Sequence, residues 1–271
     1  MFCGFSATGQ VKTFVASPLA EQRIEGLNEE ISSYSLFELD LIGLDEYVQN
    51  DGYSNQVNLD ITGYGIFNID LIHNRVTSSD YALRAATPEG IVTIETGDKI
   101  KTFKGYVDGR FHVRLTIDED FISGFIETRK GTLILESAYL RDRGLSRNQL
   151  LVYYNKDDIA EYPNHCEPRL APGHFTNEPE PKIETRAVGE CYDVEIALAN
   201  DWLMYEERDE DLQEVENHNL AVINNVQSNY DDEFLDEVNF VVTEIFVSTC
   251  SSCDPWTSST DAGDLLDAFG A

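Results

Sequence analysis

The groups in this 271-residue chain that could do chemistry are five cysteines, five histidines and a large excess of carboxylates. Cys250 and Cys253 form a lone C-x-x-C directly after an apolar run. That spacing suits half a zinc site, a redox dithiol or a small disulfide loop. No second C-x-x-C and no histidine pair accompanies it, so a local disulfide or plain thiols is the simpler reading and a metal or redox role the sharper one. Cys166 stands alone in NHCEPRLAP, as a free or disulfide-bonded cysteine or as a soft thiolate ligand. His73, His112, His165, His174 and His218 include no two at i, i+4 with a Glu after the first. That spacing is what lets two imidazoles one helical turn apart share a zinc ion while the Glu reaches the metal-bound water as general base. Each histidine is therefore expected as an ordinary surface or hydrogen-bonded side chain. The acidic triplets Asp209 to Asp211 and Asp231 to Glu233 lack the alternation and central Gly of a calcium loop. Glu195 lies in a run that reads as a buried strand, where it must find a cation or hydrogen bonds, with Arg or Lys pairing the plain choice.

The charge balance narrows the partners. Fifty acidic residues against 19 basic ones give a formal net charge of -31. This argues against nucleic acid or an anionic membrane surface, both of which require a basic footprint, and for an acidic solvated surface. Hydrophobic residues make up 42% of the chain and aromatics 11%, enough for real cores. No apolar run approaches the roughly 20 residues of a membrane span. At the start, Gly4, Ser6, Thr8, Gln10 and Lys12 interrupt what apolar character there is, which makes a poor signal peptide.

Four regions must position these residues. After an N-terminal segment, 1–36, residues 37–158 are β-rich, with short apolar runs separated by Gly, Asp, Asn or Pro. Phe111, Val113, Leu115 and Ile117 alternate with Arg110, His112, Arg114 and Thr116. A linker over 159–190 carries Pro163, Pro168, Pro172, Pro179 and Pro181, so it cannot sustain a helix or a central strand. From 191 to 271 the pattern predicts a parallel strand around Val194 to Ala199, a helix over 209–230 and a strand over 238–247. Thr260 or Asp261 offers an N-cap for a further helix. On the first helix Leu212, Val215, Val222, Val226 and Tyr230 form the apolar stripe, leaving Glu214, Glu216, Asn224 and Asn225 to face water.

The order VEIALAND, AVINNVQSNY, VNFVVTEIFV and DPWTSSTDAGDLLDAF resembles the front of the catalytic domain of reprolysin-like (adamalysin-type) zinc metallopeptidases of the metzincin clan. Upstream, TFKGYVDGRFHVRLTIDEDFISGFIETRKGTLILES resembles the end of their propeptides, through Phe103 and Gly105, Asp108 and Gly109, Val113 to Ile117, Gly124, and Gly131 to Glu136. A generic antiparallel sandwich gives much of the second pattern. The resemblance implies an α+β fold, with an antiparallel β-rich propeptide domain followed by the start of an α/β catalytic domain (strand-helix-strand-helix). It implies a secreted zinc metalloendopeptidase precursor acting on proteins or peptides, whose propeptide packs on its own catalytic domain. The motif H-E-x-x-H-x-x-G-x-x-H is absent from the chain. No catalytic residue is therefore assigned, inactivity is expected, and the chain reads as a fragment of a longer precursor. The resemblance further implies that Cys166 is a latency ligand to zinc, although the family's Gly after that cysteine is Glu167 here, and that Glu195 contributes to a structural calcium site. The alternative function is a noncatalytic propeptide-like binding or inhibitory protein.

Overall fold

The computed structural model describes residues 11–19, 24–50, 54–97, 99–160, 192–234, 237–254 and 256. Period-two alternation builds its larger body. In β3 (Ser54–Ile61) Val57, Leu59 and Ile61 point inward, and in β4 (Gly65–His73) Phe67, Ile69 and Leu71 do the same. They are joined by β1 (Lys12–Pro18), β2 (Ser35–Glu38), β7 (Thr102–Val107), β8 (Phe111–Asp118), β9 (Phe121–Thr128), β10 (Gly131–Ser137) and β11 (Gln149–Tyr154). These strands form a closed barrel in the order β1-β2-β11-β10-β9-β8-β7-β4-β3, sealed by parallel pairing of β1 with β3 from Lys12↔Val57 to Ala16↔Ile61. Helix α1 (Leu41–Asn50) adds Leu41, Leu44 and Val48 to the interior cluster.

Two glycines set how closely the wall strands approach. A Cβ on Gly105 would lie 2.1 Å from the Asp70 carbonyl oxygen. One on Gly124, whose φ is 152°, would lie 2.0 Å from that of Arg114. Only glycine fits either position.

Strands β4 and β7 are neighbours in the barrel, paired from Ile69↔Val107 to His73↔Phe103. The chain between them nevertheless leaves the barrel. Its β5 (Thr77–Thr87) and β6 (Gly90–Ile94) join a second, four-stranded sheet with β12 (Tyr192–Asn200) and β13 (Val238–Ser248), in the order β12-β13-β5-β6. β13 runs parallel to both β12 and β5. Between β12 and β13 come α2 (Trp202–Glu207), capped by Asp201 accepting from the Met204 amide at 2.9 Å, and the long α3 (Leu212–Phe234). Val215 and Ile223 of α3 pack with Val242, Ile245 and Val247 of β13 and with Val76 and Leu83 from the first half of the chain. Other residues of α3 lie on β7, β8 and β9 of the barrel.

This architecture overturns the α+β expectation of an antiparallel domain followed by a separate metzincin-type α/β domain. Strands dominate, and the main core is the inside of a closed barrel. Alternation marks which strands have one buried face, but it cannot tell a sandwich from a barrel, because closure depends on which strands meet. Here closure uses β1, within the segment set apart as 1–36. The crossover from β12 to β13 exists, yet its sheet is completed by β5 and β6. The further helix expected from Thr260 or Asp261 lies outside the described residues. Among the described residues, no helix is long and apolar enough to cross a membrane.

Candidate functional site

The outward side chains of a barrel strand are ordinarily wet. On β8 they are not: Arg114, Thr116 and Asp118 are 6%, 0% and 1% exposed. Helix α3 covers them with Gln213, Asn217, Asn224, Gln227 and Asp231, a stripe at intervals of three and four residues broken only by Leu220. A polar face of the helix is thus largely buried alongside its apolar one. Glu214 and Asn224, expected in water, are 2% and 0% exposed, whereas Val222, expected inside, is 44% exposed. Glu216 is buried and Asn225 half-buried, while Tyr230 lies at the surface.

Asp118 is the hub of this seam. Its Oδ1 accepts from Lys99 Nζ at 2.5 Å and from the Glu119 amide at 3.0 Å. Its Oδ2 accepts from Gln213 Nε2 at 2.9 Å and Asn217 Nδ2 at 3.1 Å, and lies 3.1 Å from Lys101 Nζ. Lys101 also donates to Glu216 and to Asn217 Oδ1, each at 2.8 Å, and Glu216 accepts from the Tyr81 hydroxyl at 3.0 Å. Burial alone would raise the Asp118 pKa, but Lys101, Lys99 and Asn217 outweigh it and hold the carboxyl well below the usual carboxylate range. Burial likewise opposes the Lys99 ammonium, and its bonds to Asp118 and Asp45 raise its pKa above the ordinary lysine value.

Further along the helix, Asn224 Nδ2 donates to the Leu115 and Phe103 carbonyls at 3.1 and 3.3 Å, while its Oδ1 accepts from Asn74 at 2.9 Å. One carboxamide thus ties α3 to two barrel strands and to the chain leaving β4. Arg114 pairs with Asp231. Gln227 bonds the Val238 carbonyl and the Phe240 amide, each at 2.7 Å, fixing where β13 starts. At the other end Glu214 sits between Arg143, at 3.2 Å, and Arg147. His218 faces Arg208, whose guanidinium is 3.2 Å from Nδ1. Burial first, then this guanidinium, pushes the His218 pKa down to about 4.

A cleft of about 400 Å³ opens beside the hub, lined in part by Ser78, Tyr81, Lys99, Lys101, Asp118 and Glu216. The register of β5 against β13 jumps here from Val242↔Thr77 to Glu244↔Ala82, so residues 78–81 bulge into the cleft wall. The lysines and carboxylates of the wall neutralise one another. Such an arrangement can orient and lock two surfaces rather than activate a nucleophile.

The residues singled out from sequence fare differently. Cys166, His165 and His174 lie outside the described residues. Glu195 is exposed on β12, an edge strand of its sheet, and not in a buried strand as expected. Among the described residues no group of three or more His, Cys, Asp or Glu side chains is placed to hold a metal ion. Cys250 and Cys253 are joined in a disulfide. The acidic triplets pair and cap: Asp209 lies 3.0 Å from Arg143, Asp232 lies 3.6 Å from His112, and Asp211 accepts from the Gln213 amide at 2.8 Å at the start of α3. His73 Nε2 is 3.0 Å from the Val48 carbonyl. Sequence reasoning missed Lys99, Lys101, Asp118 and Asn224. The available signal was the carboxamide stripe of α3, since Gln and Asn repeated at helical spacing offer donors and acceptors to a partner surface. No protein-family model and no curated protein matches this chain, so the functional reading rests on the seam and on the sequence resemblance.

Proposed function

We propose that the chain is the front part of a secreted zinc metalloendopeptidase precursor, in which the barrel is a propeptide-type holder for the β12–α3–β13 unit. The observation that carries this reading is the seam: segments on either side of the Pro-rich stretch share largely buried ion pairs, Lys101 with Glu216 and Arg114 with Asp231, and one sheet. Buried ion pairs add little net stability compared with apolar packing, and their best-attested use is to fix register between surfaces. A holder needs that property. The protease half of the reading rests on the resemblance in VEIALAND, VNFVVTEIFV and the propeptide-like strands, with proteins or peptides as substrates.

The described residues do not fit a zinc centre, since they include no ligand cluster and the chain has no H-E-x-x-H. No hydrolytic step is therefore assigned to this chain. Cys166 as the latency thiolate on zinc and Glu195 as a calcium contact remain part of the proposal. Reading the coding sequence beyond the Ala271 codon tests it. An in-frame H-E-x-x-H-x-x-G-x-x-H supports the precursor. An immediate stop codon removes the enzyme and leaves a noncatalytic binding or inhibitory protein. The 271-residue chain itself, incubated with unfolded casein and added zinc, is expected to leave the substrate intact. Chelator-sensitive cleavage would reveal a metal-dependent catalytic site within the chain.

A further inference from the structure

The chain between β4 and β7 is longer than a barrel hairpin requires. Its base is already closed: the Asn74 amide donates to the Thr102 carbonyl at 2.9 Å, and Thr102 Oγ1 donates to the Asn74 carbonyl at 2.5 Å. A short turn there would complete the barrel, yet residues 74–101 run outward and return. What they gain is a ladder with β13, in register from Glu244↔Ala82 to Ser248↔Ala86 and flanked by bonds from the Val242 amide to the Val76 carbonyl at 2.7 Å and from the Thr249 amide to the Ala86 carbonyl at 3.0 Å. Val76 and Leu83 enter the apolar cluster of Val242, Ile245 and Val247. Its strands β5 and β6 add nothing to the barrel's own sheet, which the excursion touches only at its ends, as where the Ile117 amide donates to the Lys101 carbonyl at 2.8 Å.

We propose that residues 74–101 are a strand-donating arm whose partner is the edge of β13, and that the barrel keeps hold of residues 192–256 as a separate polypeptide after the Pro-rich stretch has been cut. Strand addition supplies main-chain hydrogen bonds along an edge, while side chains entering the partner's core supply selectivity. Both are present: the β5 ladder is the first, and Val76 and Leu83 are the second. The arm also covers an edge of β13 that would otherwise offer unpaired amides and carbonyls to other chains. The inference goes beyond the precursor reading, because it holds whether or not a zinc motif follows Ala271.

The test uses the full chain with one specific protease site inserted between 161 and 190. After complete cutting, the two pieces are expected to co-elute in size-exclusion chromatography and to give a 1:1 complex by native mass spectrometry at about micromolar concentration. Separation into two pieces, with the barrel piece keeping its β-type circular dichroism, overturns the proposal. A second chain replaces residues 75–100 by a short Gly-Ser bridge across the closed base. Once cut, it is expected to lose the complex, and retention as tight as the parent's would show that α3 on the barrel wall suffices alone. Should that variant not fold, Ala86→Pro decides. The Ala86 carbonyl faces β13, so its amide does too, and proline removes that donor without touching a barrel strand. A loss of affinity of about tenfold or more in the cut chain is expected, and an unchanged affinity refutes the arm.

Discussion

Asp118 accepts from two lysines, a glutamine and an asparagine while shielded from water, so it has the most to lose from a change of one atom. Asp118→Asn keeps the shape but removes the charge that the half-buried Lys99 and Lys101 ammonium groups face. We expect a loss of about 1–3 kcal/mol of stability, read as a lowered urea midpoint, because the charge-assisted bonds to Asp118 are lost while Lys99 keeps Asp45 and Lys101 keeps Glu216. The carboxyl is more acidic in the folded chain than in the unfolded one, so its contribution is present above about pH 3.9 and disappears as pH falls through the folded value. His218 acts over a milder range. Its folded pKa of about 4 lies below the unfolded value of about 6.5, so the unfolded chain binds the extra proton first. Stability is therefore complete above pH 6.5 and falls towards pH 4 by an amount on the order of 2 kcal/mol. His218→Gln should flatten that part of the curve, and an unchanged slope between pH 6.5 and 4.5 would remove His218 from the account. Gly124→Ala places a methyl group against the Arg114 carbonyl at a φ that side chains rarely adopt, for an expected cost of about 2–4 kcal/mol in thermal or urea unfolding.

Helix α3 carries two working faces, one apolar towards β13 and one polar towards the barrel, and leaves Val222 on the third. Val222→Ser should change the urea midpoint by no more than about 0.5 kcal/mol, whereas Asn224→Ala, which orphans the Asn74 amide group and two barrel carbonyls, should cost about 2–4 kcal/mol. A larger effect at Val222 than at Asn224 would reverse the assignment of faces. The contrast shows what could be read in advance. The extent of α3 and of the flanking strands was legible because apolar residues recur at regular intervals along each. The direction in which α3 points was not. Hydropathy places Asn and Gln outside, and that rule fails where a second surface supplies partners for amides such as those of Gln213, Asn217 and Asn224. The barrel wall was legible strand by strand, through pairs such as Val113 with Leu115, while β1 escaped because Lys12 to Pro18 resembles a broken leader. The excursion of β5 and β6 was hidden for a different reason: a strand's sequence records that one face is buried, and it does not record which sheet receives it.

In the whole molecule the scarce cations are concentrated where the two halves of the sequence meet. Lys101, Arg114, Arg143 and Arg147, from the first half, each pair with an acid of α3. A chain with net charge -31 would repel itself across that junction without them. The junction also imposes an order in time. A ribosome makes all nine barrel strands before residues 242–248 emerge, so the barrel can close while β5 still has no partner on one edge. The nascent chain must then carry an apolar, half-paired hairpin through the synthesis of the Pro-rich stretch, and a bare strand edge is a template for joining other chains. Refolding of the chain cut between 161 and 190 should consequently separate into a concentration-independent rise of barrel signal and a slower docking phase whose rate grows with the concentration of the second piece. Crowded synthesis, with many such hairpins exposed at once, is the condition under which this protein is most exposed to aggregation.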